Sequence, residues 1–158
     1  WVSHFPQEQV QLGRVAGLGM NREELQKNPV LTEIAVTDLN KSPILPYRDQ
    51  SFDIVTCTVS IDYLTKPLQV MEEVARVLRP GGVVAIIFSD RLFFSKAVAK
   101  WTGKDDSEHV YTVGSYIHYG AGDALTAPRA TDLSPTWRKL GQGRKGDPLY
   151  VVSASRKI

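Results

Sequence analysis

The residues able to do chemistry fall in four short clusters, each directly after a β-branched run. They are Gly19-Met20-Asn21, Asp38-Leu39-Asn40, Ser60-Ile61-Asp62 and Ser89-Asp90. Together they offer carboxylate, amide and hydroxyl groups beside apolar side chains, the mix that holds a small polar molecule. Other chemistries find no footing. His4, His109 and His118 lack metal-ligand spacing, and a lone cysteine with no paired carboxylates nearby gives no metal site. Each histidine reads as a surface or packing residue. No G-x-S-x-G elbow and no Ser/His/Asp order marks a hydrolytic nucleophile, so no catalytic residue stands out. Cys57 lies inside an apolar run and reads as an inert buried thiol.

The elements that must position these clusters alternate between strand and helix. Arg14–Leu18 reads as a short strand. Asn21 can cap a helix over Arg22–Lys27, with Glu23 and Glu24 in the first turn, where the helix dipole favours acids. Asn28-Pro29 stops it. Ile34–Asp38 reads as the next strand, followed by a proline-punctuated loop. Phe52–Ser60 is nearly continuous apolar and β-branched sequence, which predicts a central strand buried on both faces. Pro67–Leu78 is the clearest helix. Leu68, Met71, Ala75 and Leu78 form its apolar stripe, widened by Val70, Val74 and Val77. Arg79-Pro80-Gly81-Gly82 predicts a sharp turn, and Val83–Ser89 a further buried strand. Leu92–Trp101 reads as a helix, Gly103–Ser107 as a polar loop, and Val110–Tyr119 as a tyrosine-rich helix. The turn Lys145–Pro148 precedes a last strand over Leu149–Ala154. Strand–helix–strand units of this kind cross over right-handed into a parallel sheet. Ligands then bind beyond the C-terminal strand ends, where the four clusters fall.

Composition sets outer limits. The 158 residues suit one domain, expected to span residues 1–158. Hydrophobic residues at 42% and charged residues at 23% exclude wholesale disorder. The single cysteine rules out an internal disulfide and suggests a reducing intracellular compartment. The longest apolar run, Val83–Phe88, is far short of the ~20 residues of a membrane span. The net charge of +2 makes no case for nucleic acid. From Arg129 onward, however, residues 129, 138, 139, 144, 145, 156 and 157 are basic against Asp132 and Asp147. That local excess reads as a solvated tail, or as a surface for an acidic partner or nucleic acid.

Two motifs carry a resemblance. Asp49-Gln50-Ser51-Phe52-Asp53-Ile54-Val55 is followed by Glu73 through Gly82, with Arg76-Val77-Leu78-Arg79-Pro80-Gly81-Gly82 at its end. In this order and spacing they resemble the class I S-adenosylmethionine-dependent methyltransferases of type 11, over about residues 12 to 90. Asp147–Val152 resembles the last, antiparallel strand of that fold. The resemblance implies an α/β, doubly wound, Rossmann-like and mostly parallel sheet with a C-terminal antiparallel strand. It also implies that S-adenosylmethionine is the cofactor. Asp38 would match the acid that takes the adenine amino group, with Leu39 packed beside the ring. Met20 would lie against the adenine face, and Ser60 would line the methionine end. Gly19 stands where the family carries an acid for the ribose hydroxyls, leaving Asn21 as a weaker substitute and any cofactor binding weakened. The family's first strand and glycine-rich loop have no counterpart after Trp1-Val2-Ser3-His4-Phe5-Pro6. The sheet is therefore expected to be incomplete at its N-terminal side, in an N-terminally truncated methyltransferase-like domain.

A dinucleotide-binding turn competes for the first cluster, since Asp38 follows Gly17-Leu18-Gly19 by nineteen residues from Gly19. Arg22 occupies the position that needs a third glycine, which argues against it. The leading expectation is methyl transfer to an unidentified acceptor, with Asp62 as a base only if the acceptor needs one. A second reading makes the chain a catalytically degenerate methyltransferase-fold subunit or scaffold, completed by a protein partner that fills the sheet.

Overall fold

A computed structural model describes residues 11–90, 97–99, 101–135 and 147–158. The chain divides into two compact units, residues 1–42 and 43–158.

The first unit is a β–α–β crossover. Strand β1 (Ala16–Gly19) lies parallel to β2 (Glu33–Val36), with Ala16 opposite Glu33 and Gly19 opposite Val36. Between them runs the short helix α1 (Arg22–Gln26). Asn21 starts that helix as foreseen: its side-chain oxygen accepts from the N–H groups of Glu23 and Glu24. Both strands are displaced from the sequence expectation. β1 starts two residues later than Arg14–Leu18 and ends one later, because the Val15 N–H is taken by the Thr32 side chain and only its carbonyl bonds across to Thr32 and Glu33. β2 ends at Val36, so Thr37 and Asp38 belong to the loop.

The second unit holds a four-stranded sheet in the order β3-β4-β6-β5. β3 (Phe52–Thr58) is parallel to β4 (Leu78–Phe88), while β6 (Tyr150–Ser155) runs antiparallel to both β4 and β5 (Arg129–Asp132). Helices α2 (Pro67–Val77) and α3 (Asp106–Ala121) pack against each other and against the sheet. The core is built from Val84, Ile86 and Phe88 of β4, Val152 and Ala154 of β6, and the buried stripes of the two helices. Alternation along β4 places every second residue inward, as a strand covered on one face requires.

Four sequence expectations change here. β3 is not buried on both faces: Asp53, Ile54 and Thr56 are exposed, and among the described residues it pairs only with β4, the open edge that an incomplete sheet implies. A run of β-branched residues reports strand propensity and says nothing about whether both faces of the strand are covered. Arg79–Gly82 is no separate turn. α2 passes directly into β4 at Leu78, and the four residues bulge out of the ladder between the pairs Phe52–Leu78 and Ile54–Val83. Gly81 takes φ +79°, and a Cβ on Gly82 would lie 3.0 Å from the Asp53 carbonyl oxygen, so both glycines are required. Leu68 lies 43% exposed, outside the α2 stripe it was expected to join. α3 starts four residues earlier than Val110, at a capping box in which Asp105 and Glu108 satisfy each other's backbone N–H.

β5 carries no sequence signal, since all four of its residues are exposed. The expected helix over Leu92–Trp101 lies mostly outside the described residues, and residues 97–99 and 101 are turn and loop. Lys145 and Gly146 of the last turn also lie outside them.

Candidate functional site

In the first unit, the ends of β1 and β2 come together. The Thr37 N–H donates to the Gly19 carbonyl at 3.0 Å, which sets Gly19-Met20-Asn21 beside Asp38-Leu39. Met20 is 70% exposed, an apolar side chain held out at the strand end. Leu39 and Asp38 are half-buried. Much of the polar capacity here is already engaged. The Asn21 oxygen caps α1. Asp38 Oδ1 accepts from the Asn40 N–H at 3.0 Å, and Lys41 Nζ lies 3.8 Å from its other oxygen. No carboxylate stands at Gly19, and a Cβ there would make only ordinary contact with the Leu25 side chain at 3.5 Å.

In the second unit, Ser60 follows the C-terminal end of β3. Val59 precedes it with φ +44°, a left-handed backbone that costs a β-branched residue of order 1–3 kcal/mol. Its N–H is anchored to the Ile87 carbonyl of β4 at 2.8 Å. The Ser60 hydroxyl lies 3.2 Å from Cys57 Sγ, a half-buried thiol whose pKa burial pushes up. A 3-10 turn over Ile61–Tyr63 comes next. Within it Asp62 is 5% exposed, and burial raises its carboxyl above the ordinary range.

His109 is not a surface residue. It is 3% exposed on α3, stacked on Trp101 with ring centroids 4.2 Å apart. Its Nε2–H donates to the Trp101 carbonyl at 2.9 Å. The Trp101 N–H in turn reaches the Val98 carbonyl, and the Val98 N–H the Asp62 carbonyl, both at 2.9 Å. Asp62 and His109 are 47 residues apart in the chain. No spacing rule links them, and only the packing of α3 does. Among the described residues no group of histidine, cysteine and carboxylate side chains could hold a metal. His118 is exposed on α3, and His4 lies outside the described residues. An open groove of about 490 Å³ is lined by Thr126, Arg129, Ser153 and Ser155. It sits where Ser155 pairs with Val83, the opposite end of β4 from Phe88 and so away from Ser60.

Residues 13–86 match the family described as methyltransferase domain. Malonyl-(acyl-carrier protein) O-methyltransferase of Marinomonas sp. (strain MWYL1) is 33% identical over 91 residues, covering 57% of this chain and 32% of that protein. Ubiquinone/menaquinone biosynthesis C-methyltransferase UbiE of Cupriavidus taiwanensis is 30% identical over 137 residues, covering 85% of this chain and 48% of that protein. The chain thus spans less than half the length of either relative. Over just under half of its length, the chain is thus similar to the domain of S-adenosylmethionine-dependent methyltransferases that its sequence motifs resemble.

The fold agrees. A solved complex between the Haloferax volcanii Trm112 methyltransferase activator and a methyltransferase superposes with a TM-score of 0.66 at 17% identity, covering 96% of this chain and 75% of that one. For a methyltransferase of this class the residue types fit the cofactor in part. Met20, Leu39 and Asp38 suit an adenine ring and its amino group, and a hydroxyl such as Ser60 suits the methionine end. The ribose hydroxyls find no carboxylate at the end of β1. None of these comparisons supports the scaffold reading.

Proposed function

We propose that the chain binds S-adenosylmethionine and transfers its methyl group to an acceptor nucleophile, as one methyltransferase-like domain over residues 1–158. The family match over residues 13–86 carries this reading, because it spans every proposed cofactor residue from Gly19 to Ser60. When bound, the cofactor supplies an electrophilic methyl on a sulfonium, so the protein's task is to align donor and acceptor and exclude water. Met20 and Leu39 would hold the adenine by apolar contact, and Asp38 would accept from its amino group. Asn21 would offer its amide N–H to a ribose oxygen, while Gly19 leaves the close approach of that ring unobstructed. Ser60 would bond to the methionine end.

The relatives' names place the methyl on oxygen in one case and on carbon in the other, which leaves the acceptor open. One structural neighbour is a methyltransferase in complex with an activator protein, and a protein partner that completes the sheet belongs to this proposal. No described helix is long and apolar enough to cross a membrane. With a single cysteine and so no internal disulfide, a reducing intracellular compartment fits this proposal. Calorimetry of S-adenosylmethionine binding to the full-length protein tests the reading. Saturable one-to-one binding is expected, and absence of binding at millimolar cofactor would sink it.

A further inference from the structure

Asp62 differs from the other aspartates of this chain. Asp38, Asp105 and Asp132 each spend a side-chain oxygen on the N–H of a residue two or three positions on. Those contacts cap turns or helix starts. Asp62 caps no following residue; its own N–H is the backbone donor that reaches it. It is nevertheless almost wholly buried. Taking a carboxylate out of water without a paired cation is costly, and such a group is a functional candidate where it meets a binding region. Asp62 lies in the turn directly after β3, whose end is tied to β4 through Val59 and Ile87. That is the C-terminal side of two parallel strands, where ligands of such sheets bind.

Among the described residues, the titratable groups around it are few. Cys57 and Tyr63 come from its own strand and turn, and both are raised in pKa and neutral. From α3 comes His109, whose charge would steady the anion. The Nε2–H bond to the Trp101 carbonyl fixes that nitrogen as the protonated one, so in the neutral ring Nδ1 is the acceptor.

Resting on the methyltransferase reading, we propose that Asp62 takes the proton of the methyl acceptor, with His109 as a positioning residue that holds the Asp62 turn through the Trp101 and Val98 backbone. The acceptor's X–H bond breaks, its electron pair stays on X, and the proton forms an O–H bond with the Asp62 carboxylate. The exposed lone pair would then take the methyl group as the sulfonium carbon–sulfur bond breaks, its electron pair staying on sulfur and neutral S-adenosylhomocysteine leaving. An acceptor that needs this help has a proton to lose. The substrate class is therefore a phenol, a thiol or an acidic C–H, and not a preformed carboxylate.

The test does not require the acceptor. A group that takes the acceptor's proton lies close to the methyl, so the positive sulfonium of S-adenosylmethionine lowers its pKa, while the neutral thioether of S-adenosylhomocysteine does not. Both are titrated calorimetrically into the full-length protein at mildly acidic pH, in buffers of different ionisation enthalpy. The expected result is proton release with S-adenosylmethionine and none with S-adenosylhomocysteine. Asp62→Asn should abolish the release and leave S-adenosylhomocysteine affinity within about two-fold. His109→Gln should shift the pH at which release is greatest. Binding of both ligands with equal proton release, or release that survives Asp62→Asn, overturns the proposal and leaves the methyltransferase reading standing. Failure of both ligands to bind the wild-type protein removes that reading and this proposal with it. The wild-type comparison stands even if a variant fails to fold.

Discussion

At the scale of single residues, Gly19 and Asp62 set the behaviour to expect. Gly19 replaces an acid with nothing, and its backbone φ is not among the positive ones, so a side chain is tolerated there. Gly19→Asp should tighten S-adenosylmethionine binding ten-fold or more, since a charge-assisted hydrogen bond contributes about 1.5–3 kcal/mol. Calorimetry giving equal affinities for the two proteins would refute this. For Asp62 the sign follows from burial. The folded state raises its pKa above 3.8, so the folded chain holds this proton more tightly than the unfolded one. Its contribution to stability is complete below the unfolded pKa and is lost as pH rises through the folded value. Asp62→Asn escapes that loss. The variant should therefore be more stable than wild type at neutral pH and gain nothing below about pH 4. Denaturant melts at both pH values check it, and a gain that is the same at both would show that ionisation is not the cause.

At the scale of elements, stability rests on α2 and what packs against it. Leu78 is fully buried at the junction of α2 and β4. Leu78→Ala should cost about 2–5 kcal/mol, with cofactor affinity unchanged in the surviving folded fraction. An unaltered denaturation midpoint would take the junction out of the core. The α2–α3 contact is equally exacting. A Cβ on Gly120 would lie 2.5 Å from the Leu68 carbonyl oxygen and 2.7 Å from Met71 Cβ, closer than real atoms approach. Gly120→Ala should push the helices apart and cost about 1–3 kcal/mol, although alanine is the better helix former. A melting temperature raised by the substitution would mean the helices are not in that contact. Arg76 locks the preceding loop to α2. It donates to Glu73, to Asp49 and to the carbonyls of Leu45 and Tyr47. The same guanidinium holds the Glu73 carboxyl below its usual range.

At the scale of the whole molecule, edges dominate. Among the described residues β1 pairs only with β2, and β3 only with β4, so β1 and β3 each have one side without a strand partner among those residues. Such edges recruit further chain. Residues 1–158 expressed alone should therefore self-associate or melt without a sharp transition, and a strand-donating partner or flanking segment should remedy both. Sizing and thermal melting check this. A monomer with one cooperative transition would show that the edges are harmless.

The sequence by itself determined the resemblance to class I methyltransferases, the α/β class and the existence of most elements. Those follow from local signals: Asn21 before α1, Pro67 opening α2, and the motif from Glu73 to Gly82. Turn chemistry, caps and hydrophobic period act over a few residues, so they are legible in a string. The candidate cofactor residues were legible in the same way, as polar clusters at strand ends. What only the tertiary structure decided depends on contacts between distant residues. That Arg79–Gly82 is a bulge within β4 and that β5 exists at all are facts about pairing, which no local signal encodes. The joining of Asp62 to His109 is of the same kind. Burial turns an ordinary aspartate into one with a raised pKa, and burial is a property of the folded surroundings.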